Sequence, residues 1–133
     1  LGYRNALQEY SAESANSAIE LKSSPENAGK VVLEYLESSG TCDAVFAYND
    51  MYALEIIALL RSKGIRVPEE IAVVGYDDIP YSVYVCPKLT SVALDKDWLG
   101  RTSTEMLIKM IKGKKIREKR YVQKPVLRVR DSG

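Results

Sequence analysis

The sequence predicts an α/β fold, a parallel sheet flanked by helices, and three observations carry that prediction. Two short apolar runs, Asp43-Ala-Val-Phe-Ala-Tyr48 and Ile71-Ala-Val-Val-Gly-Tyr76, have the continuous apolarity of buried parallel strands. Each stops abruptly at amide or carboxylate side chains, Asn49-Asp50 and Asp77-Asp78. Segments of helical periodicity lie before, between and after them, and helix alternating with strand is the pattern of a parallel sheet with crossover helices. At 133 residues, 46% apolar and 28% charged, the chain is long enough for one compact domain with its own core.

The elements follow in order. Leu1 to Tyr10 has apolar side chains at positions 3, 6, 7 and 10, the stripe of an amphipathic helix already under way with no initiator Met and no cap. A truncated piece of a longer protein is therefore expected. Ser11 to Ser24 is polar, with Ala18-Ile-Glu-Leu21 as a candidate short strand. Ser24-Pro25-Glu26-Asn27 supplies a cap, a proline at the first helical position and an early acid, which predicts a helix to about Ser38 ended by Gly40. Its expected core face is Val31, Val32, Tyr35 and Leu36.

After the 43–48 strand, Asn49 or Asp50 is expected to cap a helix. Its Ala53, Leu54, Ile57, Ala58 and Leu60 are too apolar for a single buried stripe, so cover on two sides is expected. Gly64 ends that helix, and Val67-Pro68-Glu69-Glu70 connects it to the 71–76 strand. Beyond Asp77-Asp78 comes a loop with Pro80, Tyr81, Tyr84 and Pro87. A short strand over Leu89 to Leu94 follows, then a helix from about Asp95 to Ile111 closed by Gly113, and a partly extended end over 120–130.

Composition narrows the function. The formal net charge of +1 conceals an asymmetry: ten of the nineteen Lys and Arg residues lie between Lys109 and Arg130, where Glu118 is the only acid. The first part of that tract ends a helix, where cations oppose the dipole, and Tyr121 is its only aromatic, so a solvated face is favoured over nucleic-acid binding. Cys42 and Cys86 lack CxxC spacing, and with no His anywhere they read as reduced structural thiols of a cytosolic protein, with a single disulfide as the alternative, rather than metal ligands. No apolar run approaches the roughly 18 residues of a membrane span. Neither a catalytic triad nor a Gly-rich phosphate loop is present, and no enzyme activity, metal or cofactor is expected. Trp98, in the last helix beside Leu99, Thr102 and Met106, suits packing better than ligand stacking.

The strand ends hold the candidate chemistry, because ligands of open α/β sheets bind beyond the carboxyl ends of the strands. Asn49 is either a helix cap or a ligand contact presented with nearby backbone N–H groups. Asp77 and Asp78 can accept paired hydroxyl or N–H donors, as a sugar or a base would offer. They could instead hold Mg2+ with Asp50, and Asp-Asp-Ile-Pro is also good turn chemistry.

These motifs in this order resemble one family. Asp43-Ala-Val-Phe-Ala-Tyr-Asn-Asp-Met-Tyr-Ala-Leu54, then Gly64-Ile-Arg-Val-Pro-Glu-Glu-Ile-Ala-Val-Val-Gly-Tyr-Asp-Asp78, then Pro87-Lys-Leu-Thr-Ser-Val92 and Leu99-Gly100, resemble the effector-binding domain of LacI/GalR transcription regulators. The resemblance covers nearly the whole chain. It implies a periplasmic-binding-protein-like type I fold, of which 1–94 and about 119–131 would form mainly the C-terminal lobe, while the helix at about 95–113 would belong to the N-terminal lobe. An Arg that contacts the effector would fall just before Leu1, and Ser23 and Ser24 stand where an effector-stacking aromatic often lies. No helix-turn-helix lies in the chain, so operator DNA would be read by a separate segment.

The function implied is sensing of a small-molecule effector, a sugar or a nucleobase, by a cytoplasmic homodimer. Lobe closure would alter operator binding. Asn49 and Asp77 are the implied effector contacts, with Asp95 and Lys96 as weaker candidates. Tyr52, Leu54, Ile57, Ala58, Tyr81, Tyr84 and Val85 are the implied dimer surface. Two other readings stand beside it: a sugar receptor of an ABC transporter, which shares the fold, and a Mg2+-dependent phosphoryl-transfer domain using Asp50, Asp77 and Asp78.

Overall fold

A computed structural model of the chain describes residues 2–10, 24–39, 41–116 and 120–133. The candidate strand at Ala18–Leu21, the expected helix end at Gly40, Ser23 and Glu118 lie outside the described residues. Helix α1 spans Gly2–Glu9; a 3-10 turn, Pro25–Asn27, leads into α2, Ala28–Ser39. Strand β1, Ala44–Phe46, is followed by α3, Asp50–Ser62, and β2, Ala72–Tyr76. A second 3-10 turn, Pro80–Val83, precedes β3, Thr90–Ala93, then α4, Lys96–Ile111, and β4, Val126–Arg128.

The strands lie in the order β1-β2-β3-β4. β1 pairs parallel with β2 (Phe46 opposite Val74), and β2 parallel with β3 (Gly75 opposite Ser91). β4 runs antiparallel to β3, with Val92 opposite Leu127. The all-parallel expectation therefore needs one correction at the last strand. Helical crossovers dictate parallel pairing only for strands they connect within the sheet, whereas β4 arrives after α4 and the 112–125 connection and enters from the opposite end.

The core lies between β2 and the α2/α3 pair. Ala53, Ile56, Ile57 and Leu60 form one stripe of α3, spaced by three or four residues, and close over Val73, Leu89, Ala28 and Val32. Of the face expected for α2, Val32 is buried and Val31, Tyr35 and Leu36 are half-buried. Gly29 lets α2 approach α3 closely, since a Cβ there would stand 2.7 Å from Leu59 Cβ. Its N–H donates to the Glu55 carboxylate, which closes the first turn of α2 across the interface.

β1 differs from expectation. Its apolar run reads as buried on both faces, yet Ala44 and Phe46 are exposed and β1 is the edge strand among the described residues. An apolar run records composition and leaves coverage to the tertiary neighbours. Phe46 stacks on Tyr3 of α1, their ring centroids 6.5 Å apart.

α4 stands apart from this core, with no buried residue. Leu99, Leu107, Ile108 and Met110 are exposed, Met110 by 62%. Trp98 packs edge-on against Tyr121 at 6.4 Å. Gly64 and Gly113 follow α3 and α4 with φ of 80° and 65°, where glycine turns the chain out of a helix at low cost. No described helix is long and apolar enough to cross a membrane.

Candidate functional site

Register brings the candidate residues to one end of the sheet. β1 and β2 run parallel with Phe46 opposite Val74, and Asn49 and Asp77 each follow the carboxyl end of their strand. Asp95 follows the carboxyl end of β3 at the same edge.

Asn49 resolves its two sequence readings into one. It is the N-cap of α3, its Oδ1 accepting from Tyr52 N at 3.2 Å. The cap occupies the oxygen alone and leaves the amide NH2 with no protein acceptor among the described residues. Asn49 can therefore cap a helix and donate to a ligand.

Asp77 is held by its backbone, with its carboxylate unengaged. Its N–H donates to the Val92 carbonyl at 2.9 Å, and among the described residues no group bonds its side chain. Its φ is 105°, and Asp78 follows at 46°. Two consecutive non-glycine residues in this region cost on the order of 1–3 kcal/mol each, and such strain persists only where the surroundings over-determine it.

Asp50 corrects the sequence reading. It does not cap α3, and it does not face the crevice. Its side chain is fully buried, with Oδ2 accepting from Ile79 N at 2.8 Å and from Ser82 Oγ at 2.6 Å. Oδ1 accepts from Ser91 Oγ at 2.5 Å. Ser91 Oγ in turn accepts from Asp78 N at 3.1 Å. One carboxylate thus binds the start of α3 to the loop after β2 and to β3.

Asp78 is likewise more than a turn residue. Its Oδ1 receives Arg130 Nη2 at 2.6 Å, with the two side chains only 16% and 22% exposed. With Asp50 turned inward and Asp78 paired to Arg130, the three carboxylates do not converge on a metal ion, and no metal-binding cluster occurs among the described residues. The Mg2+ phosphoryl-transfer reading is not supported by this geometry.

The weaker candidates occupy exposed positions. Asp95 caps α4, its Oδ1 accepting from Trp98 N at 2.9 Å, and Lys96 is exposed in the first turn. The implied dimer surface divides. Tyr81 and Tyr84 are exposed, Tyr84 by 82%, and Tyr52, Leu54 and Val85 are half-buried. Ala58 is exposed, whereas Ile57 is buried in the hydrophobic core and is not on that surface. Tyr48, 82% exposed, lies edge-on to Tyr52 at 6.0 Å.

Sequence reasoning missed Ser82, Ser91 and Arg130. One signal was available for their neighbour: Gly75 interrupts an otherwise apolar strand, which marks a close approach. That approach is made by Asp50, whose Oδ1 fills the space a Cβ at Gly75 would need.

The profile of the periplasmic binding protein-like domain family matches residues 1–133. Among curated proteins, the regulator CelR of Thermobifida fusca is 35% identical over 133 residues, 99% of this chain and 39% of its own length. The repressor PurR of Photobacterium profundum is 33% identical over 107 residues, 80% of this chain and 32% of its own. The chain thus spans between about a quarter and two fifths of the curated relatives it matches. Among solved structures, a LacI family regulator from Arthrobacter sp. FB24 in complex with lactose superposes with a TM-score of 0.84 at 30% identity, covering 97% of this chain and 48% of that one. A CelR–cellobiose complex gives 0.83 at 32% identity, covering 99% and 41%.

Proposed function

The chain belongs to the periplasmic-binding-protein-like domain family, in the part that forms the effector-binding domain of LacI/GalR-type regulators, and from that premise we propose that it is the larger share of one lobe of a sugar sensor. Asn49 and Asp77 supply this lobe's polar contacts to the sugar, and Asp95 and Lys96 stand at the rim. The observation that carries the reading is Asp77. A carboxylate with no partner among the described residues, on strained backbone at the carboxyl end of a parallel strand, is arranged to accept hydroxyl donors from outside the protein. The Asn49 amide, beyond the carboxyl end of the neighbouring strand, adds a donor at the same end of the sheet, which suits vicinal hydroxyls. Cellobiose and lactose bound to relatives at 32% and 30% identity support a carbohydrate over a nucleobase.

The rest of the reading concerns the whole protein. The exposed side of α4 packs against the N-terminal lobe, and the patch of Tyr48, Tyr52, Tyr81 and Tyr84 pairs two copies. Closure of the lobes on a sugar shifts the dimer between arrangements of different operator affinity, through differential binding to the two states. The protein acts in the cytoplasm, without catalysis, on operator DNA bound by a separate segment. The similarity to regulators across 99% of the chain favours this over a transport receptor of the same fold.

Titration of the full-length regulator on its operator tests the proposal. One carbohydrate in a panel containing cellobiose and lactose is expected to change operator affinity by about 5- to 150-fold, and Asp77→Ala to abolish the change. If sugars, nucleosides and purines all leave operator affinity unchanged, the sensing role fails.

A further inference from the structure

We infer that Arg130 is a positioning residue of the effector site, holding the backbone of Asp77 and Asp78 so that the Asp77 carboxylate is presented to the crevice. The inference rests on the reading of Asp77 as an effector contact. Consecutive non-glycine residues at φ 105° and 46° need constraint from several directions. Three bonds hold the amides: Asp77 N to the Val92 carbonyl, Asp78 N to Ser91 Oγ, and Ile79 N to Asp50 Oδ2. Among the described residues, only Arg130 holds the Asp78 side chain.

The guanidinium does this with its planar fork. Nη2 donates to Asp78 Oδ1 and Nη1 to the Leu89 carbonyl, each at 2.6 Å, so the residue after Asp77 is tied to the approach of β3. The base of the side chain is fixed as well, because Arg130 N donates to Thr90 Oγ1 at 2.8 Å. Arg130 reaches Asp78 across 52 positions of sequence, from just beyond β4. With both side chains largely out of solvent, the pair is weakly screened. A lysine ammonium, a point charge on a flexible stem, cannot satisfy a carboxylate and a carbonyl in one plane. Arg130 thus acts on the effector through Asp78 and Asp77.

The test uses the full-length regulator and has two arms. In the first, the three-bond amide-to-Hα coupling of Asp77 is measured by NMR in 15N-aspartate-labelled protein. Arg130→Met, Arg130→Lys and the milder Asp78→Asn are expected to move this coupling toward its extended-backbone value. Ile56→Val, which lowers stability from the core, is expected to leave it unchanged. A wild-type coupling in all three site variants would overturn the inference.

In the second arm, cellobiose affinity is measured by calorimetry. Arg130→Met is expected to weaken binding about tenfold or more, equivalent to about 1.4 kcal/mol, while Ile56→Val leaves it unchanged. Asp77→Ala is expected to weaken it further, and combining it with Arg130→Met to add nothing, since the arginine works through that carboxylate. Additive losses would overturn the inference. If the wild type ignores cellobiose, the same arm is run with the panel sugar it does bind. A wild type that binds no sugar of the panel, or an Asp77→Ala variant with unaltered affinity, would sink the effector reading itself, and the coupling measurement then still decides whether Arg130 sets the conformation of Asp77.

Discussion

Gly75 and Asp50 share one space: a Cβ at Gly75 would intrude on Asp50 Oδ1 and stand 3.1 Å from Leu89 Cδ2. Strand β2 has to be bare at this position because a buried carboxylate from the start of α3 lies against it. Gly75→Ala is therefore expected to destabilise the protein by about 1–3 kcal/mol through overpacking, read as a lower urea midpoint with an unchanged slope. An alanine accommodated without a measurable shift would contradict this packing.

Asp50 itself receives donors from Ile79 N, Ser82 Oγ and Ser91 Oγ. Asp50→Ala leaves those buried donors unpaired, each at a cost of about 1–3 kcal/mol, and should be the most damaging change at this cluster. Asp50→Asn keeps one acceptor oxygen and should lie between Ala and wild type in thermal midpoint. Equal stability of the three proteins would rule out the network as a stabilising element.

At Asp77 stability and function should separate. Asp77→Gly removes the proposed effector contact but suits φ of 105°, so the folding free energy should stay within about 0.5 kcal/mol of wild type. Asp77→Val forces a β-branched residue into the same backbone and should cost about 1–3 kcal/mol. The comparison is made by denaturation in parallel with sugar titration; a glycine variant that responds normally to effector would remove Asp77 from the site.

Ser132 makes a comparable lock at the end of the chain. Its Oγ donates to the Val73 carbonyl at 2.6 Å and accepts from Thr90 N at 2.9 Å, filling the place beside β2 that β3 has not yet reached. Ser132→Ala should cost about 1–3 kcal/mol and increase amide exchange at Thr90. Unchanged exchange there would show that the tail contributes no protection.

The two thiols should react in sequence. Burial, opposed by hydrogen bonding with the Ala44 backbone and assisted by the Asp43 charge, pushes the Cys42 thiol above its usual range, so less of it is thiolate at any given pH. Cys86 is exposed. At about pH 8 a thiol reagent should modify Cys86 first, with the Cys42 rate still climbing at higher pH. Faster modification of Cys42 would reverse the burial argument.

Much of this was legible from local chemistry. The helices and the strands at 44–46, 72–76 and 90–93 follow from apolar runs broken by Asn49, Gly64 and Asp77, and the caps at Asn49 and Asp95 from residue preference. The aspartates were harder to read. Asp50 and Asp78 look as much like ligands as Asp77 does, because a one-dimensional pattern records a carboxylate without its direction. Ser91 and Arg130, whose partners lie 41 and 52 residues away, left no local signal.

By itself the sequence determined the alternation of helix and strand, the strand ends where polar residues gather, and the family those motifs belong to, since each depends on neighbours a few positions apart. Only the tertiary structure decided which carboxylate turns into the core and which is left without a partner among the described residues. That choice rests on contacts between β2, β3 and the chain beyond β4, and burial of a charge is tolerated only where distant donors converge on it, as they do at Asp50 and do not at Asp77.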